Sequence, residues 1–329
     1  MGILNAIEKR IFTYPKGIFP FTKLKKCGIL KVWSCRTEEE IHMGVGIVLI
    51  IAGIIVNQLE GVLIKKYNIN HKSGGFIFTG LVSLFAMIFF AITNTDGFYF
   101  PPQMFIYAVS AGILYCLGSF CTFIALGCGP YAMSMLILSY SIVFKTGYGL
   151  MFLSEPATVF TYIGFLVIFI SIYLTRMKKD EKKTKITFKW IFCVGISVCC
   201  SGIHGVISKM QQVAFNNSCD NEYMIIALGI SAVVLLVLGI IKDSKNFSIV
   251  LKYGTLYASG AGIANGISNM TGLIVNKLMP VSLSSPLGAG LKIIVVFMIS
   301  KFLFKEKFLT RQIIGVFLGA LALVLLNIK

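Results

Sequence analysis

The chain has 329 residues, 57% of them hydrophobic and only 13% charged, with a formal net charge of +17. Soluble domains carry roughly 25% charged residues, so this chain lacks the polar surface to cover a soluble globule. Nor does the positive charge mark a nucleic-acid binder. Most Lys and Arg sit in short segments between apolar runs, where cations meet lipid headgroups and set orientation, and no basic surface is interleaved with aromatics.

Residues 1–42 carry eight cations, no apolar run of signal-peptide length and no helical periodicity. Codons for Glu38-Glu39-Glu40 suit a purine-rich ribosome-binding stretch ahead of Met43, so translation is expected to start at Met43. A genuine cytoplasmic or interfacial tail is the alternative, and the intact mass of the natively expressed protein decides between them.

Apolar runs then predict an all-α membrane protein of ten transmembrane helices, at roughly 44–64, 74–93, 103–127, 131–153, 156–175, 189–213, 222–242, 253–276, 281–303 and 308–328. Pro130 and Pro280 precede spans four and nine, where a missing N–H costs nothing. The charged segment 176–188 is the one long linker. It separates a first five-helix unit, 43–175, from a second, 189–329.

The two units are related. Tyr107, Ala108, Ala111, Gly112, Ile113, Pro130 and Ser134 recur as Tyr257, Ala258, Ala261, Gly262, Ile263, Pro280 and Ser284, each 150 residues later (257 − 107). Glu155, Ile163, Gly164 and Leu174 recur as Glu306, Ile314, Gly315 and Leu325, and Gly61, Val62 and Lys65 as Gly205, Val206 and Lys209. Five spans per unit is an odd number, so the second unit enters the membrane from the opposite side: a 5+5 inverted repeat of the kind that builds transporters. Lys and Arg concentrate on the linker side, which the positive-inside rule places in the cytoplasm.

Polar stripes run through the spans, and ionisable groups at membrane depth are functional candidates. Span six carries Ser197, Ser201, His204 and Ser208 on one face. Span one carries Gly53, Asn57, Glu60 and Ile64 at the corresponding positions, so Asn57 matches Ser201 and Glu60 matches His204. Span three adds Tyr115, Ser119 and Thr122. Span four adds Ser134, Ser141 and Lys145; span eight adds Asn265, Ser268, Asn269 and Asn276; span nine adds Ser285 and Lys292. The candidates for substrate binding or coupling are therefore Asn57, Glu60, Tyr115, Ser119, Ser141, Lys145, Ser201, His204, Asn265, Asn269, Ser285 and Lys292. Each has a plainer reading. Serines and amides glue helices at about 0.6 kcal/mol per contact, His204 can bond a neighbouring carbonyl, Glu60 can pair with Lys65, and Lys292 can form a structural ion pair with Glu60. Neither Lys145 nor Lys292 is duplicated, so the shared fold does not require them, and Lys292 suits a counter-charge for an anionic substrate group. The nine cysteines form no CxxC pair and no metal-ligand spacing, so they read as packing residues.

The end of each unit carries recognisable wording. Phe152-Leu153-Ser154-Glu155 leads into the span of Gly164, and Phe302-Leu303-Phe304-Lys305-Glu306 leads into Arg311-Gln312-Ile313-Ile314-Gly315. Over residues 44–329 this resembles the EamA-type transporters of the drug/metabolite transporter superfamily. The resemblance implies a ten-span carrier with its cavity among spans one, three, four, six, eight and nine, and cytoplasmic termini, where the charge count puts the ends of the core outside. Glu155 and Glu306 match the family's turn glutamate; each precedes the next helix, whose macrodipole stabilises an acid by about 0.3–1 kcal/mol.

The expected function is secondary transport, by alternating access, of a small polar metabolite, anionic or zwitterionic, across the cell membrane, with a coupled proton through Glu60 or His204 as an option. No enzyme is expected, for there is no HExxH or other paired catalytic motif, and no Walker A loop. Neither metal nor cofactor is expected, and the partners are the substrate and membrane lipid, not nucleic acid. The rivals are a multidrug or cation exporter on the same fold and a non-transporting membrane scaffold.

Overall fold

The computed structural model describes residues 29–71, 73–94, 97–141, 144, 159–175, 187–216, 218–278, 281–306 and 310–325. By internal contacts the chain divides into two units, Met1–His42 and Met43–Lys329, and the second holds the helical bundle. Among the described residues there are ten helices of nine or more residues and no strand: α1 (Ile29–His71), α2 (Gly75–Thr93), α3 (Met104–Cys128), α4 (Tyr131–Ser139), α5 (Val159–Thr175), α6 (Phe188–Ala214), α7 (Asp220–Lys242), α8 (Thr255–Leu278), α9 (Val281–Phe302) and α10 (Thr310–Leu325). A 3₁₀ turn at Ser244–Asn246 and a π turn at Val250–Gly254 lead into α8.

Helix ends follow the predicted spans within a few residues, with two differences. The first helix begins at Ile29, although residues 29–42 show no apolar stripe; once a helix is nucleated, each further residue adds a hydrogen bond, and the Leu, Lys and Glu of this stretch are good helix formers. The helix also continues to His71, past the apolar run. Of span four, α4 accounts for Tyr131–Ser139; Lys145 and Glu155 lie outside the described residues.

Among the described residues, five stretches are long and apolar enough to cross a bilayer: Gly44–His71, Gly75–Thr93, Met104–Cys128, Phe188–Ala214 and Asp220–Lys242. Large apolar side chains also point outward on most helices, including Val48, Ile92, Ile106, Phe192, Leu256 and Phe317. A soluble monomer does not carry so much exposed apolar surface, and hydrocarbon is the solvent that suits it. The chain is a membrane protein.

The helices pack in related pairs. α2 lies on α7, α4 on α9 and α5 on α10, and the contact of α3 with α7 has its equal in that of α8 with α2. The duplicated small residues explain the last two. Ala108, Ala111, Ala258 and Ala261 are all fully buried. A Cβ on Gly112 would stand 2.8 Å from the Ala227 carbonyl oxygen, and one on Gly262 would stand 2.6 Å from that of Val82. Only glycine admits such close backbones, and dispersion between close backbones is what holds helices together in lipid. Ser83 and Ser231 share a hydrogen bond of 3.1 Å across the α2–α7 contact. Between α5 and α10, the Ser171 hydroxyl donates to the Gly315 carbonyl at 2.6 Å.

Candidate functional site

A cavity of about 410 Å³ opens between the helices, within the range of roughly 300–1,000 Å³ typical of small-molecule sites. Its walls come from α1 (Asn57, Glu60, Gly61, Ile64), α3 (Tyr115, Gly118, Ser119, Thr122), α6 (Cys200, Ser201, His204), α8 (Asn265, Asn269) and α9 (Lys292). Thr79 and Val82 of α2, Met135 and Leu138 of α4, and Ser141 just beyond complete the lining, with Leu114 and Leu126 of α3. Ten of the twelve residues proposed from sequence therefore meet in one place. The other two are Lys145, outside the described residues, and Ser285, whose backbone lies in α9 but whose side chain is not among those described.

The lining is built twice over. Asn57 and Ser201 occupy matching repeat positions, as do Glu60 and His204. Tyr115 and Asn265 are 150 residues apart, and so are Ser119 and Asn269, the offset of the α3–α8 repeat. Contacts follow the same relation. On one wall Asn265 Nδ2 donates to Glu60 Oε1 at 3.0 Å; on the other, the rings of Tyr115 and His204 lie 5.8 Å apart. The repeat has thus kept the positions and changed the chemistry, so one wall presents a carboxyl group and amides, the other an aromatic ring and an imidazole.

Besides His204, the cavity lining holds two ionisable side chains, Glu60 and Lys292. Behind them the amides are linked: Asn269 Nδ2 donates to Asn265 Oδ1 at 3.0 Å, and Gln58 Nε2 to Asn57 Oδ1 at 3.3 Å. Such second contacts fix the orientation of groups that face a ligand.

Several polar stripe residues hold helices instead. Ser197 is fully buried; its hydroxyl donates to the Gly118 carbonyl at 2.7 Å and meets Thr122 at 2.5 Å, tying α6 to α3. Ser134 donates to Pro130 O at 2.8 Å and accepts from Trp190 Nε1 at 2.9 Å. Neither Ser208 nor Ser268 lines the cavity.

A Glu–Lys pair lies just beyond the cavity along α1. Lys65, which the sequence offered as a partner for Glu60, instead donates to Glu306 Oε1 at 2.8 Å and to the Gly129 carbonyl at 3.3 Å. Its ammonium stands 4.8 Å from the Phe304 ring centre and 5.8 Å from that of Tyr131. Glu306 also accepts the backbone N–H of Tyr131 at 2.6 Å, that of Ala132 at 3.2 Å and the Ser300 hydroxyl. The turn glutamate is thus an N-terminal acid, as expected, but of α4 rather than of the next helix, α10. Here the chain turns through Lys305 with a φ of +51°, which aims Glu306 back across the molecule at the first N–H groups of α4. Sequence reasoning missed this network because its members are up to 241 positions apart. The recurrence of both Lys65 and Glu306 in the repeat was the available signal. Tyr131, another omission, reaches from the same turn to α1, its hydroxyl donating to Gln58 Oε1 at 2.9 Å.

No family model matches the chain, and no curated protein matches it. Among solved structures, one titled "Crystal structure of protein" is similar over 83% of this chain and 98% of its own, at a TM-score of 0.50 and 13% identity. At that identity the likeness extends to the fold alone.

Proposed function

We propose that this chain is a secondary transporter of the cell membrane that carries a small polar metabolite, bearing an anionic group, by alternating access. The observation that carries this reading is the cavity: a polar chamber in an apolar chain, lined by ionisable and amide groups at matching positions of two related halves. A packed scaffold has no use for such a chamber, since burying unneeded polar groups in lipid is costly. In this reading the ten helices all cross the bilayer as a 5+5 inverted repeat. The pairing of α2 with α7, α4 with α9 and α5 with α10, each helix on its own counterpart, supports that arrangement, as does the resemblance to EamA-type carriers. Two bundles that meet across such pairs can rock about a central site.

Lys292 is the anion's counter-charge, and Glu60 and His204 are the groups able to carry a coupled proton. The full chain reconstituted in proteoliposomes, loaded with a mixture of unlabelled organic acids, amino acids and sugar phosphates, should concentrate a labelled member of the mixture by counterflow. Lys292→Met should reduce that flux at least about ten-fold, the worth of one lost charge-assisted hydrogen bond. Flux that survives Lys292→Met intact removes the anion role. A carboxylate in the cavity also favours a second reading, export of organic cations, for which Lys292→Met would spare or raise the flux and Glu60→Gln would abolish it.

A further inference from the structure

A continuous path of hydrogen bonds runs from the cavity lining to the Lys65–Glu306 joint. Asn57 lines the cavity. Its Oδ1 accepts from Gln58 Nε2 at 3.3 Å, and Gln58 Oε1 accepts from the Tyr131 hydroxyl at 2.9 Å. The backbone N–H of Tyr131 donates to Glu306 Oε1 at 2.6 Å, the same oxygen that receives the Lys65 ammonium at 2.8 Å. Gln58 and Tyr131 are both fully buried, so bulk water does not compete for these links. Measured along α1 from Asn57 to Lys65, the path covers about 12 Å. The joint is duplicated in sequence and the path is not. Lys65 and Glu306 recur as Lys209 and Glu155, but the same offsets carry Gln58 to Gly202 and Tyr131 to Val281, whose side chains have no hydrogen-bonding group. The repeated fold does without this link, so one half alone has it.

We infer that Gln58 and Tyr131 are a relay: a ligand group that donates a hydrogen bond to Asn57, a hydroxyl or an N–H, loosens the Lys65–Glu306 joint. This inference rests on the carrier reading and adds how its site is regulated. The donors all point one way, from Tyr131 to Gln58 to Asn57, and the chain ends on an oxygen at the cavity. Its last link, at 3.3 Å, is the longest of the path and hence the one most readily exchanged for a ligand donor. The displaced Gln58 amide is buried and needs another acceptor, because a buried donor left unpaired is costly. Turning that amide withdraws Oε1 from the Tyr131 hydroxyl. The hydroxyl is well seated beside α1, where a Cβ on Gly61 would stand 3.1 Å from it. Tyr131 is thus pinned at both ends: the hydroxyl on Gln58, and the backbone N–H on Glu306 with the ring 5.0 Å from that of Phe304. Released at the first end, Tyr131 shifts and carries its N–H away from Glu306. Hydrogen bonds in a chain also polarise one another, so loss of the first weakens the next.

The test reads the joint directly, by hydrogen–deuterium exchange of the full-length protein in nanodiscs. Tyr131 and Ala132 stand in the first turn of α4, where backbone N–H groups lack helical partners, so Glu306 is what protects them. Asn57→Ala cuts the cavity end of the path and leaves Lys65 and Glu306 in place. It should speed exchange of the peptide that holds Tyr131 and Ala132 about two- to ten-fold, the worth of one hydrogen bond, and Tyr131→Phe should do the same. Added to Glu306→Gln, neither change should speed it further, since all three act on one event. Asn269→Ala, in the cavity but off the path, should leave the peptide unchanged, and α7 should exchange as in the wild type throughout. The two mild variants decide the matter even where Glu306→Gln fails to fold. Exchange that ignores Asn57→Ala, that rises equally with Asn269→Ala or that rises together with α7 overturns the relay. The counterflow assay separates this from the carrier itself. Flux beside an unresponsive joint keeps the carrier and removes the relay; a responsive joint without flux keeps the linkage and removes the carrier.

Discussion

At Glu306 the physics of a single residue is most concentrated. A carboxylate taken out of water is costly, and here the cost is met by four donors. Removing it leaves Lys65, only 7% exposed, without an anion, and breaking a buried pair this way typically costs about 3–5 kcal/mol. Glu306→Gln should therefore lower the unfolding midpoint in detergent or nanodiscs markedly. The double variant Lys65→Met/Glu306→Gln should lose less than the sum of the two single changes, because no orphan charge remains; strict additivity would mean that the pair does not couple. The same residue marks a limit of sequence reading. Its type, an acid placed before a helix, is legible from the repeat. Which helix it serves is not, because the partner N–H groups of Tyr131 and Ala132 are distant in the chain.

Among the elements, the duplicated glycines show why the repeat persists in sequence at all. Gly112 and Gly262 sit where α3 meets α7 and α8 meets α2, against carbonyl oxygens that cannot yield. Gly112→Ala and Gly262→Ala should each destabilise the protein by about 1–3 kcal/mol, the usual range for overpacking, visible as lower yield and a lower unfolding midpoint. Gly195 is the control: a Cβ there meets nothing within 4 Å, so Gly195→Ala should be neutral or stabilising by up to about 1 kcal/mol. Equal damage at all three positions would assign the effect to helix propensity instead of close packing. The stripe on α6 teaches the complementary lesson. Helical spacing puts Ser197, Ser201 and His204 on one face, yet α3 takes Ser197 for a joint while Ser201 and His204 face the cavity.

For the molecule as a whole, the position of the Lys65–Glu306 joint bears on how a carrier would move. The residues before it on α1, from Asn57 to Ile64, line the cavity, and the joint ties the end of that wall to the α3–α4 and α9–α10 turns. Opening toward that end must separate these elements. Cys200, a native thiol in the cavity lining, reports on access. In oriented proteoliposomes, a membrane-impermeant maleimide added on the side where α1 ends should label Cys200 several-fold faster in Glu306→Gln than in the wild type, with labelling sites assigned by peptide mass. An unchanged rate would free the joint from any part in closure.

The lipid solvent, most helix bounds and ten of the twelve candidate residues were legible along the chain. Apolar length sets where helices cross lipid, because unpaired backbone groups cannot be left there, and this is a local property. Helical spacing of polar residues on spans one, three, four, six, eight and nine placed ten cavity residues in advance. Which polar groups pair with one another was settled in three dimensions: Glu60 with Asn265, Lys65 with Glu306, Ser197 with Thr122. Electrostatic and hydrogen-bonding partners are chosen by distance in space, and folding brings together side chains that lie up to 241 positions apart, a juxtaposition that no periodicity along one helix encodes.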